Sequence, residues 1–87
     1  MADEEVLTAE QIAGHFSAMD DSVVLINEIL ADDTEAKELW GVKGVKEMVK
    51  RNTDHLEIQA EKSWYSDSSK SKTPYTTATT TGKAYIG

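Results

Sequence analysis

Apolar positions recur along the first third of the chain in steps of four and three. Ile12, Phe16, Met19, Val23, Ile26 and Leu30 fall on one narrow stripe of a helix. Ahead of them Thr8-Ala9-Glu10-Gln11 has the form of a capping box, and Leu7 and Ile12 hold the two positions of a hydrophobic staple. A helix is therefore predicted from Ala9 through residue 31. Ala18, Leu25 and Ile29 form a second, adjoining strip, so this helix faces two neighbours.

The pattern stops at Ala31-Asp32-Asp33-Thr34, where Thr34 can cap a new helix and Glu35 suits its first turn. Gly41 and Gly44 interrupt that second helix, since each glycine costs about 1 kcal/mol inside a helix. The expectation is a short helical turn over residues 35–40, a break, and then a helix from Val45 to Trp64, about 30 Å long and matched to the first. On it Val45, Val49, Asn52, Leu56 and Gln59 repeat the alternation of four and three, flanked by Met48 and Ala60. Glu47 and Arg51, one turn apart, support its exposed face.

Trp64-Tyr65 closes this helix, and Ser66 to Lys72 reads as a mobile, serine-rich loop with no apolar anchor. Thr73-Pro74 then resembles an N-cap with proline at the first helical position. The threonines at 76, 77, 79, 80 and 81 pull toward extended chain, so residues 73–87 form either a short helix or an extended arm. The predicted class is all-α. Residues 1–65 form an antiparallel helical hairpin, residues 66–72 a flexible loop, and residues 73–87 complete a small three-helix bundle or an arm.

Composition narrows the function. A chain of 87 residues makes one domain at most and buries only about 60–65% of its unfolded surface, so a partner or a second copy would add stability that a lone bundle lacks. A net charge of −7 repels phosphate backbones and anionic lipids, which argues against direct nucleic-acid binding and against a membrane surface. The basic cluster Lys43, Lys46, Lys50 and Arg51 is interrupted by Glu47 and Asp54 and lacks interleaved aromatics, and it reads as a solvated helix face. Cysteine is absent, which removes disulfides and thiolate metal sites. The acidic start Met1-Ala2-Asp3-Glu4-Glu5 is unlike a signal peptide, and no run of 18 apolar residues occurs. The expected protein is neither secreted by that route nor membrane-spanning.

No residue pattern points to catalysis. His15 and His55 are the only imidazoles, and nothing in their spacing makes them converge. His55-Leu56-Glu57 opens like a zinc deaminase motif but lacks the downstream cysteines. Gly82-Lys83 is not a phosphate-binding loop, because Thr77 stands at its first glycine position and Ala84 replaces the hydroxyl. Asp32, Asp33 and Glu35 lack the glycine and terminal glutamate of a calcium loop. No nucleophile elbow surrounds any serine. No catalytic residue, metal, cofactor or small-molecule substrate is expected.

Asn52 and Gln59, with His55 beside them, stand in the middle of an apolar face, where an unpaired polar group costs about 1–3 kcal/mol. They either pair locally or with His15 or Ser22 of the first helix, or they fix register in a helix pair or oligomer. Tyr85 and Ile86 give the chain an apolar end that either folds back on Trp64 and Tyr65 or reaches away to a neighbouring subunit. The candidate interface is Asn52, His55, Gln59, Trp64, Tyr65, Tyr75, Tyr85 and Ile86. The C-terminal segment is expected to cover one open side of the hairpin, while a tail that reaches away would leave the hairpin folded when residues 73–87 are removed.

Three stretches carry a resemblance: Leu7-Thr8 through Ile26-Asn27; Arg51-Asn52-Thr53-Asp54-His55-Leu56-Glu57-Ile58; and Thr73-Pro74-Tyr75 through Gly82-Lys83-Ala84-Tyr85-Ile86. Together they resemble short uncharacterised proteins encoded among tailed-bacteriophage and prophage genes. The resemblance implies a minor virion component of head, neck or tail, found in the virion or the host cytoplasm and acting through protein contacts or as a homo-oligomer. The charge suggests an alternative, a small acidic adaptor or regulator that binds a basic protein partner.

Overall fold

The computed structural model describes residues 6–87 as an all-helical bundle. The acidic stretch 1–5, with its charge unlike that of a signal peptide, lies outside the described residues. Helix α1 (Ala9–Ala31) begins as predicted. The Thr8 side chain accepts from the Gln11 amide at 3.1 Å, and the Gln11 side chain accepts from the Thr8 amide at 2.8 Å. Its stripe buries Phe16, Met19, Ser22, Ile26 and Ile29.

Helix α2 (Thr34–Ala60) is bent once, at Gly41, whose φ of 77° and ψ of 166° leave the helical region. Glycine reaches that backbone conformation without the Cβ clash other residues meet. The predicted break is present, and it divides α2 into a short arm, which contributes the buried Ala36, and a long one. The carboxylate that steadies the entry is Asp32, which accepts from the Thr34 amide at 3.0 Å, in place of the cap expected from Thr34 itself.

The long arm ends at Ala60, four residues short of the predicted Trp64. The reason lies in helical geometry. Tyr65 follows Leu56 by two and a half turns, so a continuous helix would have turned it away from the core. The chain tightens through bonds from the Glu61 and Lys62 amides to the Ile58 and Gln59 carbonyls, and Lys62 becomes extended. The short helix α3 (Ser63–Asp67) then swings Tyr65 inward. Ser66 and Asp67, expected in the loop, belong to α3.

Residues 73–87 form a helix, not an extended arm: α4 (Thr73–Ile86) with Pro74 in its first turn. Its threonines are reconciled with helix by back-bonding. Thr76, Thr79, Thr80 and Thr81 each donate to a carbonyl one turn earlier at 2.8–3.4 Å. The three long helices run up, down and up, within an envelope of 43 × 25 × 21 Å. One cluster joins Phe16, Met19, Ile26, Leu56, Tyr65, Tyr75 and Ala78; a second, at the far end, joins Ile29, Ala36, Val45 and Val49, with Tyr85 and Ile86 against it. The tail therefore does not reach away, nor does it fold onto Trp64 and Tyr65. Running antiparallel to α2, α4 carries its last residues to the opposite end of the bundle.

Helix α4 also decides which polar residue α2 buries. Thr53 is buried and Asn52 only half-buried, because the core face of α2 is shared with Gly82 of α4. A Cβ on Gly82 would stand 2.3 Å from the Thr53 methyl, with Val49 at 3.5 Å and Ile26 at 3.6 Å. Thr53 cannot rotate away cheaply, since it is β-branched and its hydroxyl donates to the Lys50 carbonyl at 2.9 Å. Gly82→Ala gains up to about 1 kcal/mol in helix propensity but forces the helices apart at a cost of about 1–3 kcal/mol. The expected result in urea denaturation is a net loss, largely recovered when Thr53→Ser removes the obstructing methyl. A Gly82→Ala protein more stable than its parent would contradict this packing.

Candidate functional site

At the end where α1 starts, five ring side chains from three helices meet. Phe16 is the hub: the Trp64 ring stands edge-on to it at 5.2 Å, Tyr75 lies at 5.8 Å and Tyr65 at 6.0 Å, all within the preferred range for aromatic pairs. His15 stacks on Trp64 at 4.9 Å. The loop after α3 has an anchor after all, because Lys70 sits 5.7 Å above the Phe16 ring and Lys72 5.3 Å above Tyr65. Lys72 also donates to the Ser68 and Lys70 carbonyls at 2.8 Å, which closes the loop on itself.

Tyr75 is sealed at this junction, 2% exposed, and its hydroxyl donates to the Asp20 carboxylate at 2.6 Å. Burial, with the Asp20 bond added, pushes its ionisation well above the ordinary tyrosine value. Burial also raises Tyr65. Trp64 remains half-buried. Above these rings lies an open groove of about 840 Å³, whose apolar lining includes Leu7, Ile12, Ala13, Phe16 and Trp64, with Asp20, Asp67 and Lys70 at its polar edges. Leu7 and Ile12, expected as a staple pair, both line this groove.

Of the predicted interface residues, Trp64, Tyr65 and Tyr75 come together here. The others go elsewhere. Asn52 donates to the Met48 carbonyl of its own helix at 2.8 Å, and Gln59 is half-buried further along α2. His55 shares a hydrogen bond of 2.9 Å with Ser22 of α1, which is a pairing with the first helix of the kind foreseen for this polar group. Tyr85 and Ile86 lie at the far end, where the Tyr85 hydroxyl donates to Asp33 at 2.7 Å. That bond, with Lys37 beside it at 3.0 Å, holds the Asp33 carboxyl below the usual range, and it raises Tyr85 in turn.

A second surface was not foreseen. Leu39, Trp40 and Val42, astride the bend at Gly41, are 65%, 54% and 55% exposed. The signal lay in the Leu-Trp pair directly ahead of the predicted break, out of phase with either core stripe. The two histidines have separate partners, and among the described residues no group of three or more His, Cys, Asp or Glu is placed to hold a metal. Nor is any helix among them long and apolar enough to cross a membrane. No protein family, curated protein or solved structure matches the chain.

Proposed function

We propose that the chain is a non-enzymatic structural or assembly protein that works through protein–protein contacts, as a minor component of a tailed-phage virion. The observation that carries this reading is the pair of apolar features left open on so small a bundle: the ring-floored groove at one end and the Leu39, Trp40 and Val42 corner at the other. Large apolar side chains grouped on a surface mark places where another macromolecule sits. Trp and Tyr are the residues that most often anchor such contacts. The phage attribution rests on the sequence resemblance.

Two measurements test the reading together. Light scattering behind size exclusion is expected to show a mass above the 9.6 kDa of one chain that rises with concentration, and mass spectrometry is expected to find the chain in purified particles. A protein that stays monomeric at every concentration and is missing from particles would overturn it.

A further inference from the structure

Between the end of α3 and the start of α4 the backbone does little to hold itself. The last backbone bond of α3 runs from the Ser68 amide to the Tyr65 carbonyl, and the first of α4 run from the Tyr75 and Thr76 amides to the Lys72 carbonyl. Among the described residues no backbone–backbone bond involves residues 69–71. Buried or not, peptide groups need partners, and here a side chain supplies them. The Lys72 ammonium donates to the Ser68 and Lys70 carbonyls at 2.8 Å each and lies 5.3 Å above the Tyr65 ring, while the Lys70 amide donates to the Ser68 hydroxyl at 3.1 Å. We propose that residues 68–72 form a strap latched by the Lys72 ammonium, which opens as a unit on the folded bundle and uncovers the rings beneath it.

The strap's own side chains contribute little to the core. Ser69, Lys70 and Ser71 are exposed and Ser68 and Lys72 half-buried, whereas the clusters that join α1, α2 and α4 are built from Met19, Ile26, Val49, Leu56 and their neighbours. A segment with few buried apolar contacts opens at a fraction of the free energy of global unfolding. The latch is what opposes that opening, because a charged donor makes the strongest kind of hydrogen bond a loop carbonyl can take. Lys70 rides on the same segment, 5.7 Å above Phe16, but among the described residues it has no carbonyl partner. Its hold is the weaker one.

Phe16 and Tyr65 are 5% and 7% exposed while the strap is shut. Opening lifts both ammonium groups away and exchanges a cationic cover for an aromatic face, which is a change of surface without a change of fold. Removing the Lys72 charge biases the strap toward this open form. The device does not depend on whether the chain assembles.

Native-state hydrogen exchange, read by NMR, tests it on the unaltered protein first. The Ser68 and Lys70 amides, both bonded within the strap, are expected to exchange at rates that low urea leaves unchanged, while the Val49 and Leu56 amides of α2 speed up with urea, since only global opening exposes much surface. Lys72→Met keeps the reach of the side chain and removes its donors and its charge. It is expected to speed the strap amides about tenfold, still without a urea dependence, whereas Lys70→Met removes a charge but no carbonyl bond and should change them about twofold at most. Strap amides that follow urea as steeply as the core would show that the loop opens only when the bundle does, and this overturns the proposal whatever the variants do. Strap exchange unmoved by Lys72→Met, or moved equally by Lys70→Met, would show that the Lys72 ammonium is not the latch.

Discussion

A chain cut after Lys72 is expected to lose its helical circular dichroism and its cooperative melting together. Helix α4 buries Tyr75 and Ala78 and covers Ile26, Val49 and Thr53, which would otherwise face water. Each large side chain returned to solvent forfeits about 1.5–3 kcal/mol, so a handful of them removes on the order of 6 kcal/mol or more. A domain of this length holds only about 4–13 kcal/mol in all. The hairpin of α1 and α2 is thus two sides of a core whose third side is α4. The expectation that the C-terminal segment covers one open side of the hairpin is met, and the reaching tail considered beside it is not what the chain forms. A truncated protein that still melts cooperatively would show that α4 is dispensable.

The second large effect is at Tyr75. Tyr75→Ala empties the junction of α1, α3 and α4 and is expected to cost about 3–5 kcal/mol in urea denaturation, enough to leave the protein close to unfolding at room temperature. Tyr75→Phe keeps the ring and loses only the bond to Asp20, a charge-assisted bond of the kind worth about 1.5–3 kcal/mol. The same comparison has a pH signature. Because the folded state holds the Tyr75 proton more tightly than the unfolded chain does, its contribution is fully present below the ordinary tyrosine value of about 10 and is lost as pH rises through the higher folded value. Tyr65 and Tyr85 shift the same way. The part due to Tyr75 is the difference between parent and Tyr75→Phe, which should narrow as the solution becomes strongly alkaline. A gap that stays constant through that range would place the Tyr75 proton under no tighter hold than in the unfolded chain.

Features written in neighbouring residues were legible beforehand. The capping box at Thr8, the stripe of α1, the break at Gly41 and the start of α4 at Thr73-Pro74 all depend on residues within a turn or two of each other. What escaped depends on residues far apart. Whether Asn52 or Thr53 faces the core is undecided by the spacing from Val49 to Leu56, and it is settled by the close approach of Gly82. Similarly, the threonines of α4 suggest extended chain when counted singly, but the hydroxyls of Thr76, Thr79, Thr80 and Thr81 have a carbonyl within reach once the helix exists. Two local features were missed: the entry of α2, where Asp32 takes the part expected of Thr34, and its end, where the half-turn mismatch between Leu56 and Tyr65 was already present in the spacing.

The candidate site divides the same way. Trp64, Tyr65 and Tyr75 were singled out as aromatic side chains near chain breaks, and they share a junction because α3 and the start of α4 pack against Phe16. The groove itself draws on residues 6–20 and 63–70, two segments that no local pattern links. Tyr85 and Ile86 were read as spare apolar surface because the length and direction of α4 were unknown. A straight helix of 14 residues spans about 21 Å, which takes them to Asp33 and Val45 instead of Trp64.

The third side supplied by α4 also has a consequence for timing during synthesis. Ribosomes add about 5–20 residues per second, while helical bundles with mainly local contacts fold in microseconds to milliseconds. Residues 6–72 are therefore complete for about a second or more before α4 has been made, and in that interval Met19, Ile26 and Val49 have no helix to cover them. Until α4 follows, those side chains stay open to proteases and to other nascent chains. Folding then comes almost at once upon the emergence of Tyr75 and Gly82, so synthesis and not the search for structure limits how fast the bundle appears.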